Sequence, residues 1–233
     1  NEINSVINKI KNKELHGLNI TLPYKKKIIP YLTKVVNDAK ESKSVNTVFL
    51  DGDDIVGENT DVFGFQAGYL KEIVNPKRNN IKALILGAGG VAPSIILALI
   101  KSNVQEISVT NRTHEKSLFL KRQFKNIEVI KWQNYDDEIK NFDIIINATS
   151  LGLKNNDDFK NLFQNVKKEL VFIDTIYNPG QTKMIKHLKS KNIKTYNGLD
   201  MFIYQGQKSF YTWTKKNPEI NDELINLLMS KIK

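Results

Sequence analysis

Ala83-Leu84-Ile85-Leu86-Gly87-Ala88-Gly89-Gly90-Val91-Ala92 is the stretch around which the rest of the chain is organised. Four apolar residues in a row read as a buried strand, and the glycines end it in a sharp turn. The segment that follows is rich in Ile, Leu and Ala and predicts a helix, and Glu106 to Thr110 predicts a second strand. Together these make one βαβ half of a dinucleotide-binding fold. Gly87 permits the tight turn, Gly89 lets the backbone approach a pyrophosphate, and Ala92 is small enough for close packing of helix on sheet. Ala88, Gly90 and Val91 complete a loop whose N–H groups, at a helix start, would hold the phosphates.

The residues after the second strand point to the form of the cofactor. A site for NAD carries an Asp or Glu there, to accept from the ribose 2′-OH. This chain has Asn111-Arg112-Thr113, with Lys116 one turn on. Two cations and two small polar donors suit a 2′-phosphate, so the expected cofactor is NADP. The competing reading is a solvated helix start with Thr113 as its N-cap.

With 233 residues there is room for one large or two modest domains, and 40% hydrophobic with 26% charged residues is ordinary for a globular protein. The net charge of +10 raises nucleic acid as a partner. However, the lysines are scattered, the aromatics sit at periodic apolar positions and no nucleic-acid motif occurs, so a small anionic substrate and NADP are the expected ligands. The absence of cysteine excludes disulfides, thiolate metal sites and a thiol nucleophile. His16, His114 and His187 join no motif, and no metal site is expected. No apolar run has the length of a membrane span and no leader pattern occurs, so the expected location is cytoplasmic. A helix already under way at Asn1 leads to the expectation that the sequence starts inside a longer protein.

Ile3, Val6, Ile7 and Ile10 form the stripe of an amphipathic helix, and Leu18, Ile20 and Leu22 alternate with Asn19 and Thr21 as in a strand that Pro23 ends. A second helix is predicted beyond Pro23, striped by Ile28, Leu32, Val35, Val36 and Ala39. Lys25, Lys26 and Lys27 would fill its first turn, where the helix dipole disfavours cations and pushes an ammonium's pKa down toward values useful for proton transfer. A plain solvated charge run is the alternative. Val45 to Leu50 and Ile55 to Thr60 flank Asp51-Gly52-Asp53-Asp54 as a hairpin. Thr60-Asp61 would cap a helix striped by Val62, Phe65, Gln66, Tyr69, Leu70 and Ile73. Asn75-Pro76-Lys77-Arg78-Asn79-Asn80 is polar and breaker-rich and marks a domain boundary.

Strands follow at Ile127 to Ile130, at Phe142 to Ile146 and at Leu170 to Asp174. The second ends in Asn147-Ala148-Thr149-Ser150-Leu151-Gly152, and small residues at a strand's carboxyl end are where an open α/β sheet admits ligand. A helix at Met184, Ile185 and Leu188, a short strand at Lys194 to Tyr196, a long aromatic helix from Met201 to Trp213 and a last amphipathic helix bearing Ile220, Leu224, Leu227, Leu228 and Ile232 complete the chain.

Six segments, in order, resemble shikimate dehydrogenases: Gly17-Leu18-Asn19-Ile20-Thr21-Leu22-Pro23-Tyr24-Lys25, Val45-Asn46-Thr47, Asn59-Thr60-Asp61, the Gly87 loop with Asn111-Arg112-Thr113, Asn147 to Gly152, and Asn197-Gly198-Leu199 leading to Gln205. The resemblance implies NADPH-dependent, reversible reduction of 3-dehydroshikimate to shikimate in aromatic amino-acid biosynthesis. It implies Lys25 as the catalytic lysine and Asp61 as its partner carboxylate. Thr21, Asn46, Tyr177 and Gln205 match positions that hold the substrate. Thr175 and Gly198 match cofactor contacts near the nicotinamide end, beside Thr149 and Ser150. The chain departs from the family in lacking the N-terminal strand with its Ser-x-Ser pair, in Pro93 where an Arg is common, and in Asp200 where a Gly is usual. A quinate/shikimate dehydrogenase using NAD and a non-catalytic NADP-binding paralogue stand as alternatives.

The expected architecture is α/β: a Rossmann-like parallel-sheet NADP domain over residues 77–203, and a smaller α/β substrate domain over residues 1–76 onto which the C-terminal helices, 204–233, pack back. The site would lie in the cleft between them. The oligomeric state is left open, with a homodimer compatible.

Overall fold

The computed structural model of the chain describes residues 2–74, 80–154, 159–161 and 163–232. The expected domain boundary at 75–80 lies outside the described residues except for Asn80. Among the described residues the strands form two sheets, one of four strands and one of six.

The smaller sheet contains β1 (Gly17–Asn19), β2 (Lys34–Val35), β3 (Thr47–Asp51) and β4 (Asp54–Glu58), in the order β1-β3-β4-β2. β3 and β4 form the expected antiparallel hairpin, with Gly52 at positive φ in the turn. Helix Glu2–Lys11 buries Ile7 and Ile10 against Ile20, Val45, Val48 and Ile55 of this unit. The strand expected to run to Leu22 ends at Asn19; Ile20 N still donates to Asn46 O at 2.7 Å, and Leu22 is turned out, 62% exposed.

The helix expected beyond Pro23 does not form. Turns run to Ile28, a 3₁₀ turn spans Ile29–Tyr31, β2 follows, and a short helix covers Asp38–Ser42. Pro30 has no N–H to give a helix, and the β-branched residues beyond it gain a better partner. Lys34 and Val35 pair in parallel with Val56 and Gly57, Thr33 N donates to Ile55 O and Val36 N to Gly57 O. The stripe is still withdrawn from water, with Ile28 and Ala39 buried, but it lies on a sheet edge. Lys25, Lys26 and Lys27 consequently stand in turns, without the helix dipole expected to act on them.

The larger sheet is parallel throughout: β5 (Lys82–Leu86), β6 (Glu106–Thr110), β7 (Ile127–Val129), β8 (Ile144–Asn147), β9 (Val171–Asp174) and β10 (Lys194–Tyr196), in the order β10-β9-β8-β5-β6-β7. Ala83 and Ile85 of β5 join the core under helix Ala92–Lys101, while Leu84 and Leu86 join the opposite core with Phe142, Phe172 and Leu188. Burial on both faces is why the strand reads as an unbroken apolar run. The chain leaves β5 in one direction to β6 and β7 and returns on its other side at β8, so the crevice at the carboxyl ends of β5 and β8 is the topological switch point.

Two helices tie the units together. Asp61–Phe65, continued by a π-helical turn Gln66–Leu70 and by Lys71–Ile73, carries Asp61 at its start and sinks Val62, Phe65, Tyr69, Leu70 and Ile73 into the larger core. Helix Leu199–Thr214 crosses it at Gly64, where a Cβ would stand 2.7 Å from Met201 O and 2.8 Å from Gln205 Cβ. Farther along, Thr212 Oγ1 donates to Glu58 Oε2 at 2.9 Å and Trp213 Nε1 to Val48 O at 3.2 Å. The last helix, Asp222–Lys231, has no buried residue, and Met229 and Ile232 line a cavity with Pro179, Gly180 and Ile185. Those cavity walls belong to the larger unit, whereas helix Leu199–Thr214 reaches the smaller one through Thr212 and Trp213. The short apolar stripe of the last helix is equally able to cover either surface, so periodicity does not choose between them.

Candidate active site

Two adjoining cavities, of about 690 and 420 Å³, occupy the crevice and share Leu22, Val91, Leu153, Thr175 and Ile176 as common wall. The larger is lined by Thr21, Lys25, Asn46, Asp61, Tyr177 and Gln205, together with Thr175 and Gly198. Residues distant in sequence meet here because a turn, a hairpin, a helix start and a crossing helix converge.

Lys25 is anchored through its carbonyl, which accepts from Val45 N at 2.9 Å. Its Nζ donates to Asp61 Oδ2 at 2.6 Å, and the two side chains are only 13% and 6% exposed. Lys26 turns elsewhere, its Nζ lying 4.9 Å from the centre of the Phe119 ring, and burial together with the nearby Lys43 lowers its pKa. Of the three lysines, Lys25 is the one directed into the cavity. Thr60 makes no side-chain cap bond to the helix it precedes, and the Asp61 carboxylate points away to its partners. Asn46 Nδ2 donates to Asp61 Oδ1 at 3.0 Å and lies 3.3 Å from Gln205 Oε1. Tyr177 stacks on Phe202, with ring centres 4.7 Å apart and planes at 23°.

The smaller cavity holds the residues expected at the cofactor. Gly87 adopts φ +110°, its N donates to Thr110 O at 2.7 Å, and a Cβ there would stand 2.8 Å from Ala148 O. Ala88 N donates to Asn111 Oδ1 at 3.1 Å and Asn111 Nδ2 to Thr113 O at 2.9 Å, so one amide ties the glycine loop to the turn after β6. Gly89, Gly90, Val91, Asn111, Arg112, Lys116, Thr149 and Ser150 line the cavity. Ala88 and Thr113 are not among the residues lining the cavity and touch its lining only through those hydrogen bonds to Asn111, and Ala92 is fully buried in the helix packing. Thr149 is held by Asn147, whose Oδ1 accepts from Thr149 N at 3.0 Å and Oγ1 at 2.6 Å.

A phosphorylated dinucleotide fits this lining. Among the described residues it presents Arg112 and Lys116 and no carboxylate, the arrangement a 2′-phosphate requires in place of a free ribose 2′-OH. In front of Gly89 a Cβ would meet Ala148 O alone within 4 Å, at 3.9 Å, which leaves room for a phosphate against the backbone.

Several lining residues escaped the sequence reading. Asn19 was legible in principle, since its alternation with Leu18 and Ile20 puts it on the polar face. Phe202, Met201, Leu22 and Leu153 carried no such signal. Periodicity marks which residues are apolar and not which of them leave the core for a cavity wall.

Residues 69–199 match the family model described as shikimate / quinate 5-dehydrogenase, and residues 1–48 match that of the shikimate dehydrogenase substrate binding domain. The chain belongs to the shikimate dehydrogenase family. A shikimate dehydrogenase (NADP(+)) of Pelagibacter ubique is 47% identical over 227 residues, covering 97% of this chain and 83% of the relative. The shikimate dehydrogenase structure from Aquifex aeolicus superposes with a TM-score of 0.83 at 34% identity, over 94% of this chain and 79% of that one. The shikimate 5-dehydrogenase of Thermus thermophilus, solved in complex with NADP(H) and shikimate, gives 0.80 at 28% identity, over 93% and 80%. The Rossmann-like domain and the smaller α/β unit of this shikimate dehydrogenase family member are thus those of its relatives.

Proposed function

We propose that the chain catalyses the reversible, NADP-dependent interconversion of 3-dehydroshikimate and shikimate, a step of aromatic amino-acid biosynthesis. The observation that carries this reading is the part-buried Lys25–Asp61 pair on the wall of a cavity continuous with one fitted to NADP. When bound, the nicotinamide supplies or takes the hydride. Lys25 Nζ gives a proton to the substrate oxygen as the ketone is reduced and takes it back on oxidation, and Asp61 holds the ammonium in line. Asn46, Gln205, Thr21 and Tyr177 orient the substrate by its hydroxyls and carboxylate. The loop Gly87 to Ala92 takes the pyrophosphate, Asn111, Arg112, Thr113 and Lys116 the 2′-phosphate end, and Thr149, Ser150, Thr175 and Gly198 the nicotinamide end. In this reading the smaller unit with helix Leu199–Thr214 forms the substrate side, and the parallel sheet β5 to β10 forms the cofactor side.

Shikimate-dependent reduction of NADP and of NAD, followed by the absorbance of the reduced cofactor, tests the reading. Turnover with shikimate and NADP is the expected result. Turnover confined to quinate with NAD would transfer the chain to that activity. NADPH binding without turnover would make it a non-catalytic paralogue.

A further inference from the structure

Beneath the Lys25–Asp61 pair lies a knot of hydroxyls that the reaction itself does not use. Ser209, one turn beyond Gln205 on helix Leu199–Thr214, is fully buried, as are Thr47 of β3 and Thr60 at the end of the hairpin. The Asn46 carboxamide has a defined orientation, because Thr60 N, which can only donate, lies 2.7 Å from Asn46 Oδ1. Asn46 Nδ2 therefore faces Asp61, and it also donates to Thr60 Oγ1 at 2.9 Å. Thr60 Oγ1 lies 3.0 Å from Ser209 Oγ, Ser209 Oγ 2.7 Å from Thr47 Oγ1, and Thr47 Oγ1 donates to Asn46 Oδ1 at 3.1 Å. Each hydroxyl can then accept once and donate once around a closed circuit that starts and ends on the same carboxamide.

We propose that Ser209 is a positioning residue whose hydroxyl closes this ring, locks the Asn46 carboxamide and, through it, holds Asp61 for the proton transfer. Ser209 is the one ring member contributed by the C-terminal half of the chain. It also accepts from Asn19 Nδ2 at 3.1 Å, and Gln205 O, 3.0 Å away, is the alternative acceptor of the one proton that it gives Thr47 in the ring. One buried oxygen thus ties β1, the hairpin and the helix that carries Gln205. Hydrogen bonds in such a circuit polarise one another in a low-dielectric interior, and loss of Ser209 leaves the Thr60 Oγ1 proton only the longer contacts to Asn46 Oδ1 at 3.3 Å and Thr47 Oγ1 at 3.4 Å.

The inference rests on the shikimate reaction proposed above, so wild-type turnover is measured first. Its absence would overturn that reaction and this role together. With an active wild type, Ser209→Ala is expected to lower kcat/KM for shikimate about tenfold while the Kd for NADPH stays within about twofold. On an Asn46→Ala background, Ser209→Ala should add no further loss, because the residue acts through Asn46. Thr47 separates the ring from ordinary packing: Thr47→Val keeps the volume and breaks the circuit, whereas Thr47→Ser loses a methyl and keeps it. Val is expected to reproduce the tenfold loss and Ser to restore near wild-type rates, and this pair carries the test if Ser209→Ala does not fold. Wild-type rates in Ser209→Ala, additive loss on the Asn46→Ala background, or equal damage from Thr47→Ser and Thr47→Val would each overturn the assignment and leave the shikimate reaction standing.

Discussion

Lys25 Nζ and Asp61 Oδ2 lie 2.6 Å apart although one residue stands in a run of turns and the other begins a helix 36 positions later. Both side chains are nearly closed to water, so each is the other's main source of charge compensation. Lys25→Ala is expected to lower kcat about 10²- to 10⁴-fold, the usual size of a lost general acid–base group, with NADPH affinity little changed. Asp61→Asn leaves a part-buried ammonium without its anion and should cost up to about 3 kcal/mol in urea unfolding besides the loss of turnover. Unchanged urea midpoints in both variants would contradict the burial of the pair.

Arg112 and Lys116 stand in the smaller cavity without a carboxylate among its described lining residues. Arg112→Ala is expected to weaken NADPH about 10- to 100-fold, as loss of a charge-assisted contact does, and to leave NADH within about twofold. Titration of both cofactors checks this, and equal loss for the two would refute the 2′-phosphate assignment.

Gly64 is where the two tying helices touch, and the atoms a Cβ would strike include the Met201 carbonyl, which cannot swing aside as a side chain would. Gly64→Ala should destabilise by about 1–3 kcal/mol and lower Tm by several degrees. Displacing helix Leu199–Thr214 also moves Gln205, so KM for shikimate should rise while the glycine loop still binds NADPH. Calorimetry and steady-state kinetics on the one variant separate the two effects.

Asp200 is half-buried, and burial, reinforced by Glu72, raises the pKa of its carboxyl. A carboxyl with a raised folded-state pKa favours the folded chain while protonated, and that contribution is lost as the pH climbs through the folded value. Asp200→Asn, which cannot ionise, is therefore expected to have a higher Tm than wild type at neutral pH. The gap should close as the pH falls below the ordinary carboxylate range. Thermal unfolding across pH checks the sign, and a lower Tm for the variant at pH 7 would contradict it.

What could be read along the chain was what local chemistry dictates. The run Ala83 to Leu86, the turn at Gly87 and the apolar residues after it announce strand, loop and helix through spacing a few residues long, and the glycine-loop wall of the cofactor cavity follows from them. The segment from Ile28 to Ala39 shows where that ends. Its helical spacing is real, yet Pro30 and pairing with Val56 and Gly57 turn it into a strand, and a partner some 20 residues away leaves no trace in local periodicity.

The amino-acid sequence by itself determined the parallel nucleotide-binding sheet, the NADP-type lining and the identities of the Lys25 and Asp61 pair, because each is written in short-range spacing or in an ordered set of motifs. Only the tertiary structure decided that Asn46, Thr47, Thr60 and Ser209 close a ring, that Phe202 stacks on Tyr177, and that the last helix shares a cavity with walls of the larger unit. Those outcomes depend on side chains brought together by helix crossing and sheet pairing, and hydrogen bonds and ring contacts act over a few ångströms of space whatever the distance along the chain.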